Sequence, residues 1–520
     1  MAEPFYITTA IHYPNGRPHI GHAYEMVAAD AIARFQRQAG RDVLFQTGTD
    51  EHGLKMAQAA RDAGSETAAF AQEMSSHFMV MADRLDISYD RFIRTTDADH
   101  YAASVAIWQA MANAGDLYLD RYEGWYSVRD EAYYDEAELV DGEGGARLSP
   151  QGTPVEWTAE ESWFFRLSRY QQPLLDLYAA NPDFIRPEGR RNEIMRFVEG
   201  GLTDLSVSRT SFDWGVPVPG SPGHVMYVWV DALTNYLTGT GYPDAESSNA
   251  RFWPADLHLI GKDIVRFHAV YWPAFLMSAK IALPKSVFGH GFLLSRGEKM
   301  SKSVGNVVDP MALIDLFGVD PLRYFFLREV SFGQDGSYSA EAIVARVNAE
   351  LANSFGNLAQ RTLSFIAKNL EGVLPSEGTI ADADGVLIEE VVVACAALKA
   401  AFGDLALSQG LEAWMRGVFA CNQYIDAQAP WALRKTDPDR MHAVLRTLLR
   451  AIRMLAIAVL PVVPSSAARM LHQLGAAPDE RDHAAIDDDG WYARAIDRGF
   501  RIQPPTPVFP RLELPAEEGA

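Results

Sequence analysis

Cysteine is nearly absent from this chain of 520 residues, which contains only two. Cys395 and Cys421 lie far apart in the sequence and form no CxxC pair. A framework of disulfide bonds is therefore excluded, and a zinc site built on thiolates is nearly excluded as well. So few thiols are also typical of proteins from a reducing compartment.

Long apolar runs are missing too. The most apolar stretch, residues 454–463 (MLAIAVLPVV), is much shorter than the about 20 residues that span a bilayer. The first residues, MAEPFYITTAIHYP, include an acidic residue and lack both the basic start and the apolar centre of a signal peptide. We therefore expect a soluble, cytoplasmic protein with no membrane partner.

Basic residues are outnumbered, with 46 Lys and Arg against 68 Asp and Glu and a formal net charge of −22. This balance argues against bulk electrostatic binding to nucleic acid or to acidic membranes. A local basic surface remains compatible with it, so any role with nucleic acid has to rest on particular residues. An apolar fraction of 48% is ordinary for a globular protein, and the length predicts two to four domains.

The first segments alternate between strand and helix patterns. Residues 5–11 (FYITTAI) are β-branched and aromatic, which predicts a strand, and a Pro-Asn-Gly turn follows. Residues 23–38 place apolar side chains at helical spacing, and residues 42–53 (DVLFQTGTDEHG) predict a buried strand and a polar loop. Such a βαβ unit implies a parallel sheet, in which ligands gather at the carboxyl ends of the strands.

The pattern changes twice further along the chain. From about residue 117 to 222, acidic, aromatic and turn residues alternate, which predicts an insertion with a small β-rich part of its own. Strands of the parallel sheet are predicted to resume at residues 224–233 (HVMYVWVDAL). After about residue 345 helical periodicity dominates, as in a helix bundle, and the Pro-rich end predicts an extended tail.

Two histidines flank an Ile-Gly pair in residues 15–26 (NGRPHIGHAYEM). His19 and His22 are three apart, so zinc binding on one helix face is conceivable, although no third ligand lies nearby in sequence. Gly21 between them indicates close backbone approach, and the N-terminus of the helix that follows is an anion site. Taken alone, the pair is compatible with packing, with phosphate binding and with metal binding.

A second polar segment is residues 297–306 (GEKMSKSVGN). Its two lysines, Lys299 and Lys302, are three apart in a Gly-flanked stretch, and the simplest interpretation is a solvated loop. Lysine is also a mobile point charge that suits a polyphosphate. The chain has no GxxxxGK[ST] motif, and no GxGxxG follows the first strand, so other common nucleotide-binding motifs are excluded.

Together, HIGH after the first strand and KMSKS near residue 300 resemble the class I aminoacyl-tRNA synthetases. Within that class, further segments resemble methionyl-tRNA synthetases over nearly the whole chain. These segments are TAIHYPNGRPHIGHAYE, TDEHG, YVWVDALTNY, IGKDIVRFH, HGFLLSRGEKMSKS and DAQAPW.

The resemblance implies an α/β fold in which a Rossmann-type parallel sheet is split by a connective insertion and followed by an all-α anticodon-binding bundle. It divides the chain into a first catalytic half, the insertion, a second catalytic half, a KMSKS and stem-contact region, a helical anticodon-binding domain and a tail packing back on the body. The predicted ranges are, in that order, 1–116, 117–222, 223–290, 291–345, 346–475 and 476–520.

The resemblance also implies a methionine site. Without it, Trp229 and Tyr236 would be interpreted as packing residues on a buried strand. Aromatic rings contact a thioether favourably, at about 0.3–1.5 kcal/mol, so a pocket of Tyr and Trp suits methionine. Many relatives have proline where this chain has Leu233, which affects the shape of the pocket. The implied methionine-binding residues, with Asp50 facing the ammonium group, are Ala10, Ile11, Tyr13, Asp50, Trp229, Tyr236, Asp263 and His268.

For ATP, the implied chemistry needs positioning and charge stabilisation rather than a protein nucleophile. His19 and His22 would stabilise the phosphate charge, and Lys299 and Lys302 would hold the departing pyrophosphate. Mg²⁺ would accompany the nucleotide. Many relatives carry zinc knuckles in the insertion, but residues 117–222 contain no cysteine here, so no structural zinc is expected. The implied ATP-binding residues are His19, Gly21, His22, Lys299, Ser301 and Lys302.

In the helical region, Asn357 and Arg361 are four apart and share a helix face, and Trp431 follows a proline. Alone, these would be a solvated face and a packing residue. By resemblance they read the anticodon, whose unpaired bases are recognised by edge hydrogen bonds and stacking. Such contacts do not require a basic protein overall.

The predicted function is therefore ATP-dependent activation of L-methionine and its transfer to initiator and elongator tRNA(Met). Three alternatives are a nucleotidylyl transferase of small metabolites, a catalytically reduced tRNA-binding relative and another class I synthetase. Some relatives dimerise through an added C-terminal tRNA-binding domain. The sequence stops shortly after FPRLE, so a monomer is expected.

Overall fold

The computed structural model describes residues 2–129, 132–142, 145–295, 298–299 and 308–514. The N-terminal part alternates strand and helix, as its sequence pattern predicts. The strands are almost fully buried because helices cover both faces of a parallel sheet. The elements up to residue 116 are β1 (Pro4–His12), α1 (Ile20–Gln38), β2 (Asp42–Thr49), α2 (Leu54–Asp62), α3 (Thr67–Arg84), β3 (Arg91–Arg94) and α4 (Ala98–Asn113).

An antiparallel sheet follows, built on one long pair of strands. It runs from Leu117 opposite Phe165 to Tyr126 opposite Glu156. The first α-helix of this part begins at residue 171, after the long strand pair. The elements of this part are β4 (Leu117–Ser127), β5 (Ala132–Tyr134), β6 (Val140–Asp141), β7 (Arg147–Leu148), β8 (Glu156–Phe165), α5 (Gln171–Ala180), β9 (Ile185–Arg186), α6 (Glu188–Glu199), β10 (Leu205–Ser206) and β11 (Ser208–Arg209).

The parallel sheet is then completed. With β13 (Leu257–Gly261) and β14 (Val287–His290), its order is β3-β2-β1-β13-β14-β9, and every pairing in it is parallel. Its edge strand β9 comes from the range 117–222. The elements of this third part are β12 (Val225–Met226), α7 (Val228–Thr238), β13 (Leu257–Gly261), α8 (Trp272–Ala279), β14 (Val287–His290), β15 (Leu293–Ser295), β16 (Glu298–Lys299), α9 (Pro310–Phe317), α10 (Val319–Glu329) and β17 (Gly336–Tyr338).

One expected strand was wrong. Residues 224–233 were predicted to resume the sheet, yet only Val225–Met226 is a strand, and it pairs with β11 outside the parallel sheet. The residues from Val228 onward form α7. Nearly every side chain of α7 is buried, so the helix has no polar face to give a period of 3.6 residues. A fully buried helix and a buried strand cannot be distinguished by periodicity alone.

The remaining residues form helices around one apolar core that continues into the α1 side of the sheet. A π-helical segment, Asn348–Gly356, joins the first two helices. Residues 500–514 have no regular structure and bury Ile502, Val508 and Phe509 against the helices. The helices are α11 (Ala340–Val347), α12 (Asn357–Asn369), α13 (Asp382–Gly403), α14 (Leu407–Gln428), α15 (Pro430–Thr436), α16 (Pro438–Val459), α17 (Pro464–Gln473) and α18 (Trp491–Asp497).

A buried arginine fixes α1 against this helical part. Arg323 on α10 is fully buried and donates to the carboxylate of Asp30 on α1 at 2.6 Å. It also donates to the carbonyls of Pro461 and Val462 after α16. Its hydrogen bonds compensate the cost of burying its charge, and they hold α1 at a defined position. In the described part of the chain, no helix is long and apolar enough to cross a membrane.

Candidate active site

Two histidines cap the N-terminus of α1 through reciprocal hydrogen bonds. His19 is the N-cap residue, and its Nδ1 accepts a hydrogen bond from the N–H of Gly21 at 3.1 Å. Nδ1 of His22 accepts from the N–H of His19, also at 3.1 Å. The two rings stack with their centroids 3.8 Å apart. The helix end next to them carries the partial positive charge of the helix dipole.

These hydrogen bonds decide where the ring protons lie. Because Nδ1 is the acceptor in both rings, the neutral tautomers assigned from this network carry the proton on Nε2. An Nε2–H group is a donor, and two donors at a helix N-terminus suit phosphate oxygens. Gly21 is needed for this arrangement, since a Cβ there would lie 2.9 Å from Cε1 of His19. A larger residue would displace the His19 ring.

The end of β1 forms the next wall of the site. The register between β1 and β2 shifts just ahead of Ile11, and such a bulge changes the direction of the side chains that follow. Ala10 and Ile11 both line the cleft beside α1. The hydroxyl of Tyr13 donates to the carbonyl of His52 at 2.9 Å and accepts from the N–H of Met56 at 3.0 Å. These two bonds hold the Tyr13 ring in place.

Tyr236 and His268 form a buried, uncharged pair. Nδ1 of His268 lies 2.9 Å from the carbonyl of Ile264, so we assign the ring proton to this nitrogen. Nε2 then accepts from the Tyr236 hydroxyl at 2.6 Å. Burial lowers the pKa of His268 to about 4, so the ring is neutral at pH 7. The pair offers a ligand a polar tip without a charge.

Three further predicted residues surround the same space. The carboxyl group of Asp50, directly after β2, is nearly buried, and the Asp50 N–H donates to the carbonyl of His12. A buried carboxylate lining a cleft can pair with an ammonium group. Trp229 on α7 stacks on Phe267 with ring centroids 3.8 Å apart. Asp263 is exposed after β13 and lines the cleft.

All these side chains line one cleft of about 470 Å³ at the carboxyl end of the sheet. Lys299 lies in β16, with its backbone opposite Leu294. Ser301 and Lys302 lie outside the described residues. Leu233 is buried and also lines the cleft. The predicted residues that the cleft brings together are Ala10, Ile11, Tyr13, His19, Gly21, His22, Asp50, Trp229, Tyr236, Asp263 and His268.

A buried group beside the histidines was missed by the sequence prediction. His12, Glu25 and His290 also line the cleft. Nε2 of His290 lies 2.7 Å from one oxygen of Glu25, and Nε2 of His12 lies 3.9 Å from the other. Among the described residues, neither His12 Nε2 nor Glu25 Oε1 has a hydrogen-bond partner. Glu25 lies three residues after His22, so helical spacing alone could have placed it on this face.

A second missed group lies behind the loop that follows β2. Nδ1 of His52 and Nε2 of His100 each lie 2.6 Å from a different oxygen of Asp231, and all three residues are buried. Burial alone would raise the pKa of Asp231, but the charges and hydrogen bonds of the two histidines lower it to about 2. In the sequence, Asp231 is an acidic residue within an apolar run. A carboxylate buried there needs hydrogen-bonding partners, and this requirement is the signal from which the group could have been predicted.

The predicted anticodon residues share one surface of the helical part. Asn357 begins α12, and Arg361 lies one turn later. The Arg361 guanidinium lies 5.3 Å from the ring centroid of Trp431 and donates to Asp426 at 2.6 Å. Trp431, in the first turn of α15, is 46% exposed. An amide, a guanidinium plane and an exposed ring together suit unpaired bases.

In the described ranges, no group of three or more His, Cys, Asp or Glu side chains is arranged to hold a metal ion. Both cysteines are buried in the helical part, and burial raises the pKa of the Cys395 thiol to about 12.

Comparisons with known proteins agree with this geometry. Residues 5–363 match the family model of class I tRNA synthetases (M), and residues 374–518 match that of the anticodon binding domain of methionyl tRNA ligase. A methionine–tRNA ligase of Mesorhizobium japonicum is 57% identical over 509 residues, which cover 98% of each chain. One of Mycobacterium tuberculosis is 57% identical over 521 residues, which cover 99% of each chain.

Solved structures give the same result. The methionyl-tRNA synthetase of Mycobacterium tuberculosis in complex with methionyl-adenylate aligns with a TM-score of 0.93 at 56% identity, covering 98% of this chain and all of that one. Its apo form aligns with a TM-score of 0.87 at 52% identity, covering 99% of each chain. The chain therefore belongs to the methionyl-tRNA synthetases of class I and is a methionine–tRNA ligase.

Proposed function

We propose that the cleft at the carboxyl end of the sheet holds methionine and ATP side by side. The observation that carries this proposal is that donors for phosphate and a pocket for an apolar side chain line the same cleft. The methionine carboxylate attacks the α-phosphorus of ATP, an oxygen–phosphorus bond forms, and pyrophosphate leaves. The product is methionyl-adenylate, the ligand of the Mycobacterium tuberculosis structure.

On the phosphate side, His19 and His22 donate through Nε2 to oxygens whose charge grows in the transition state. The two rings are fixed, and so is the N-terminal turn of α1 that contains Gly21, so these donors need little rearrangement during the reaction. Donors held in position in this way lower the activation barrier. Lys299 and Lys302 neutralise the departing pyrophosphate, with Ser301 beside them. Mg²⁺ enters with the nucleotide as part of the substrate.

On the methionine side, Asp50 pairs with the ammonium group and fixes the orientation of the carboxylate. Tyr13, Trp229 and Tyr236 surround the thioether, together with the neutral His268. Sulfur contacts with aromatic rings contribute about 0.3–1.5 kcal/mol each. Ala10 and Ile11 line the pocket from the β1 bulge, and Asp263 lies at its mouth.

In the second step, a terminal ribose hydroxyl of tRNA attacks the carbonyl carbon of the adenylate, the ester bond forms and AMP leaves. We propose that Asn357, Arg361 and Trp431 read the anticodon of both initiator and elongator tRNA(Met). The guanidinium beside the exposed ring supports this, because unpaired bases stack on such planes.

The proposed organisation follows the predicted ranges 1–116, 117–222, 223–290, 291–345, 346–475 and 476–520. We propose a monomer, and sedimentation equilibrium tests this. The tRNA substrate supports a cytoplasmic location.

We propose that the insertion needs no structural zinc, and metal retained by chelator-washed protein would contradict that.

Methionine-dependent pyrophosphate exchange tests the first step. We expect exchange with methionine to exceed exchange with leucine, isoleucine or valine at least 100-fold at equal concentration. Trp431→Ala separates the two steps, since it should leave exchange intact and reduce charging of tRNA(Met) at least 10-fold. Equal losses in both assays would show that Trp431 is only a packing residue.

A further inference from the structure

His52 lies behind the cleft, next to two residues of the proposed methionine pocket. It is the third residue of the loop that follows β2, and only 1% of its surface is exposed. His52 itself does not line the cleft, whereas Asp50, two positions earlier, and Tyr13 do. Any role of His52 in the reaction therefore has to act through these neighbours.

The backbone of His52 contacts both pocket residues. Its N–H donates to Oδ1 of Asp50 in a long bond of 3.4 Å, the local contact of an Asp side chain with the backbone two residues on. Its carbonyl accepts from the hydroxyl of Tyr13 at 2.9 Å. The first bond orients the carboxyl group proposed to pair with the methionine ammonium. A displaced His52 backbone would therefore move that carboxyl group.

The ring of His52 fixes this backbone from the protein interior. Nδ1 lies 2.6 Å from Oδ2 of Asp231 on α7, and Nε2 lies 3.0 Å from the hydroxyl of Tyr101 on α4. Because a carboxylate only accepts, we assign the proton of the neutral ring to Nδ1, and Nε2 then accepts from Tyr101. The ring also contacts the indole of Trp214, with centroids 5.6 Å apart. With both nitrogens bonded, the ring has a single orientation.

The anchor of the ring belongs to the opposite wall of the pocket. Asp231 is fully buried on α7, between Trp229 and Tyr236, which both line the cleft. The bond from His52 to Asp231 thus connects the loop that carries Asp50 to the helix that carries the aromatic residues. Hydrogen bonds to a carboxylate are short and strong, so this one holds the two walls at a defined separation.

His100 offers a comparison within the same cluster. Its Nε2 lies 2.6 Å from the other oxygen of Asp231, and its side chain is also buried. Neither His100 nor its neighbours in sequence, Asp99 and Tyr101, line the cleft. The two histidines therefore share a carboxylate and a buried environment, and only His52 has a backbone bonded to pocket residues.

We propose that His52 is a positioning residue for methionine. Its ring, anchored on Asp231, holds the loop so that the carboxyl group of Asp50 lies where the ammonium group of the substrate binds. His52 fixes this contact without touching the substrate. The inference rests on the proposed pairing of Asp50 with the ammonium group, and its test distinguishes failure of one from failure of the other.

The experiment compares two inhibitors that differ only in the ammonium group. L-Methioninol carries this group, and its deamino analogue lacks it. Neither has a carboxylate, so neither is activated by the enzyme. Their inhibition constants in methionine-dependent pyrophosphate exchange by the full-length enzyme give a ratio, the ammonium preference. The variants are His52→Leu, His52→Asn, His100→Leu and Asp50→Asn, and urea unfolding measures the stability of each.

Wild type should bind methioninol at least about 10-fold more tightly than the deamino analogue, the scale of a hydrogen bond to a charged group. Asp50→Asn should remove most of this preference. His52→Leu should lower it about 5-fold, since the carboxylate is misplaced rather than removed. The same variant should raise KM for methionine and leave KM for ATP at the wild-type value.

Two further variants separate positioning from general loosening. His100→Leu should lose about as much stability as His52→Leu, because each leaves one oxygen of Asp231 without its donor, but it should keep the wild-type preference. His52→Asn should regain part of the preference, because its amide nitrogen can still donate to Asp231. If His52→Leu does not fold, Tyr101→Phe replaces it, since this change removes only the hydroxyl bonded to Nε2.

An unchanged ammonium preference in the His52 variants, with Asp50→Asn reduced, would overturn this inference alone. Equal losses of preference in His52→Leu and His100→Leu would also overturn it, because the cluster would then be only structural support. A wild-type preference in Asp50→Asn would instead refute the proposed ammonium contact of Asp50, and the role of His52 would fail with it.

Discussion

Nε2 of His290, at the end of β14, lies 2.7 Å from the carboxylate of Glu25 on α1, and this pair joins the sheet to α1 inside the cleft. Burial alone would lower the pKa of His290. The hydrogen bond and the charge of Glu25 outweigh burial, with help from the charge of Asp263, so the net pKa is raised. Nearby His12 has its pKa lowered by burial.

A raised pKa makes the stability depend on pH in one direction. In the unfolded chain His290 titrates near pH 6.5. Its folded-state contribution is therefore fully present below about pH 6.5 and is lost as the pH rises through the raised folded pKa. The stability gap between wild type and His290→Gln should shrink between pH 6 and 9, as measured by urea unfolding. The exposed His472→Gln is the control, and a constant gap would contradict the assignment.

Gly21→Ala tests the position of the His19 ring in the proposed phosphate site separately from the stability of the protein. Alanine is the better helix former by about 1 kcal/mol, but displacing the His19 cap costs about as much, so the stability of the variant should stay within about 1 kcal/mol of wild type. The added Cβ would nevertheless displace the His19 ring. We expect pyrophosphate exchange to fall about 10-fold or more. Gly385→Ala, in α13 with no atom near its Cβ, should keep wild-type exchange, and equal rates for both variants would show that the ring position is unimportant.

The first βαβ unit and the helical part could be predicted because their apolar side chains recur at one period. The strand predicted at 224–233 failed, since α7 is buried on all sides and gives no period. The edge strand β9 has only two residues, and no local pattern marks so short a strand. Its position depends on contacts with β14 that are remote in sequence.

The cleft residues could be predicted as a set only because motifs of a known family connect distant segments. From physical reasoning alone, His19 and His22 could serve in packing, in phosphate binding or in metal binding. The partners that orient them were harder to find. Glu25 and His290 are 265 positions apart in sequence, and only the fold brings β14 next to α1. Asp231 showed a local signal, a charge in an apolar run, but nothing local indicated His52 and His100 as its partners.

Asp231→Asn should destabilise the protein strongly. An amide has one acceptor oxygen, so one of the two histidine N–H groups would lose its acceptor inside the core. Breaking such a buried pair costs about 3–5 kcal/mol. The lowered pKa of about 2 means that this stabilisation is present above about pH 4 and is lost only as the pH falls through 2. Urea unfolding at pH 7 therefore measures the full loss, and the exposed Asp479→Asn should be neutral.

Tyr236→Phe tests the methionine side. It leaves the buried Nε2 of His268 without its donor, at a cost of about 1–3 kcal/mol. We expect KM for methionine to rise about 10-fold in the exchange assay, with a smaller change in kcat. Tyr178→Phe is the matched control, because it also removes a buried hydrogen bond, to the carbonyl of Ala269, but lies outside the cleft. A similar rise in KM for both variants would mean that general loosening is the cause.

His22→Ala should lower pyrophosphate exchange by about 100-fold or more, the scale of losing one preorganised donor, and Lys302→Ala should do the same. His22 also caps α1, so part of its effect could come from a loosened helix end, worth about 1 kcal/mol. His22→Asn separates the two causes, since its side-chain oxygen can still accept from the N–H of His19. If the Nε2–H donor is what matters, His22→Asn regains stability but stays slow in exchange. Recovery of the exchange rate together with stability would instead assign His22 to the cap alone.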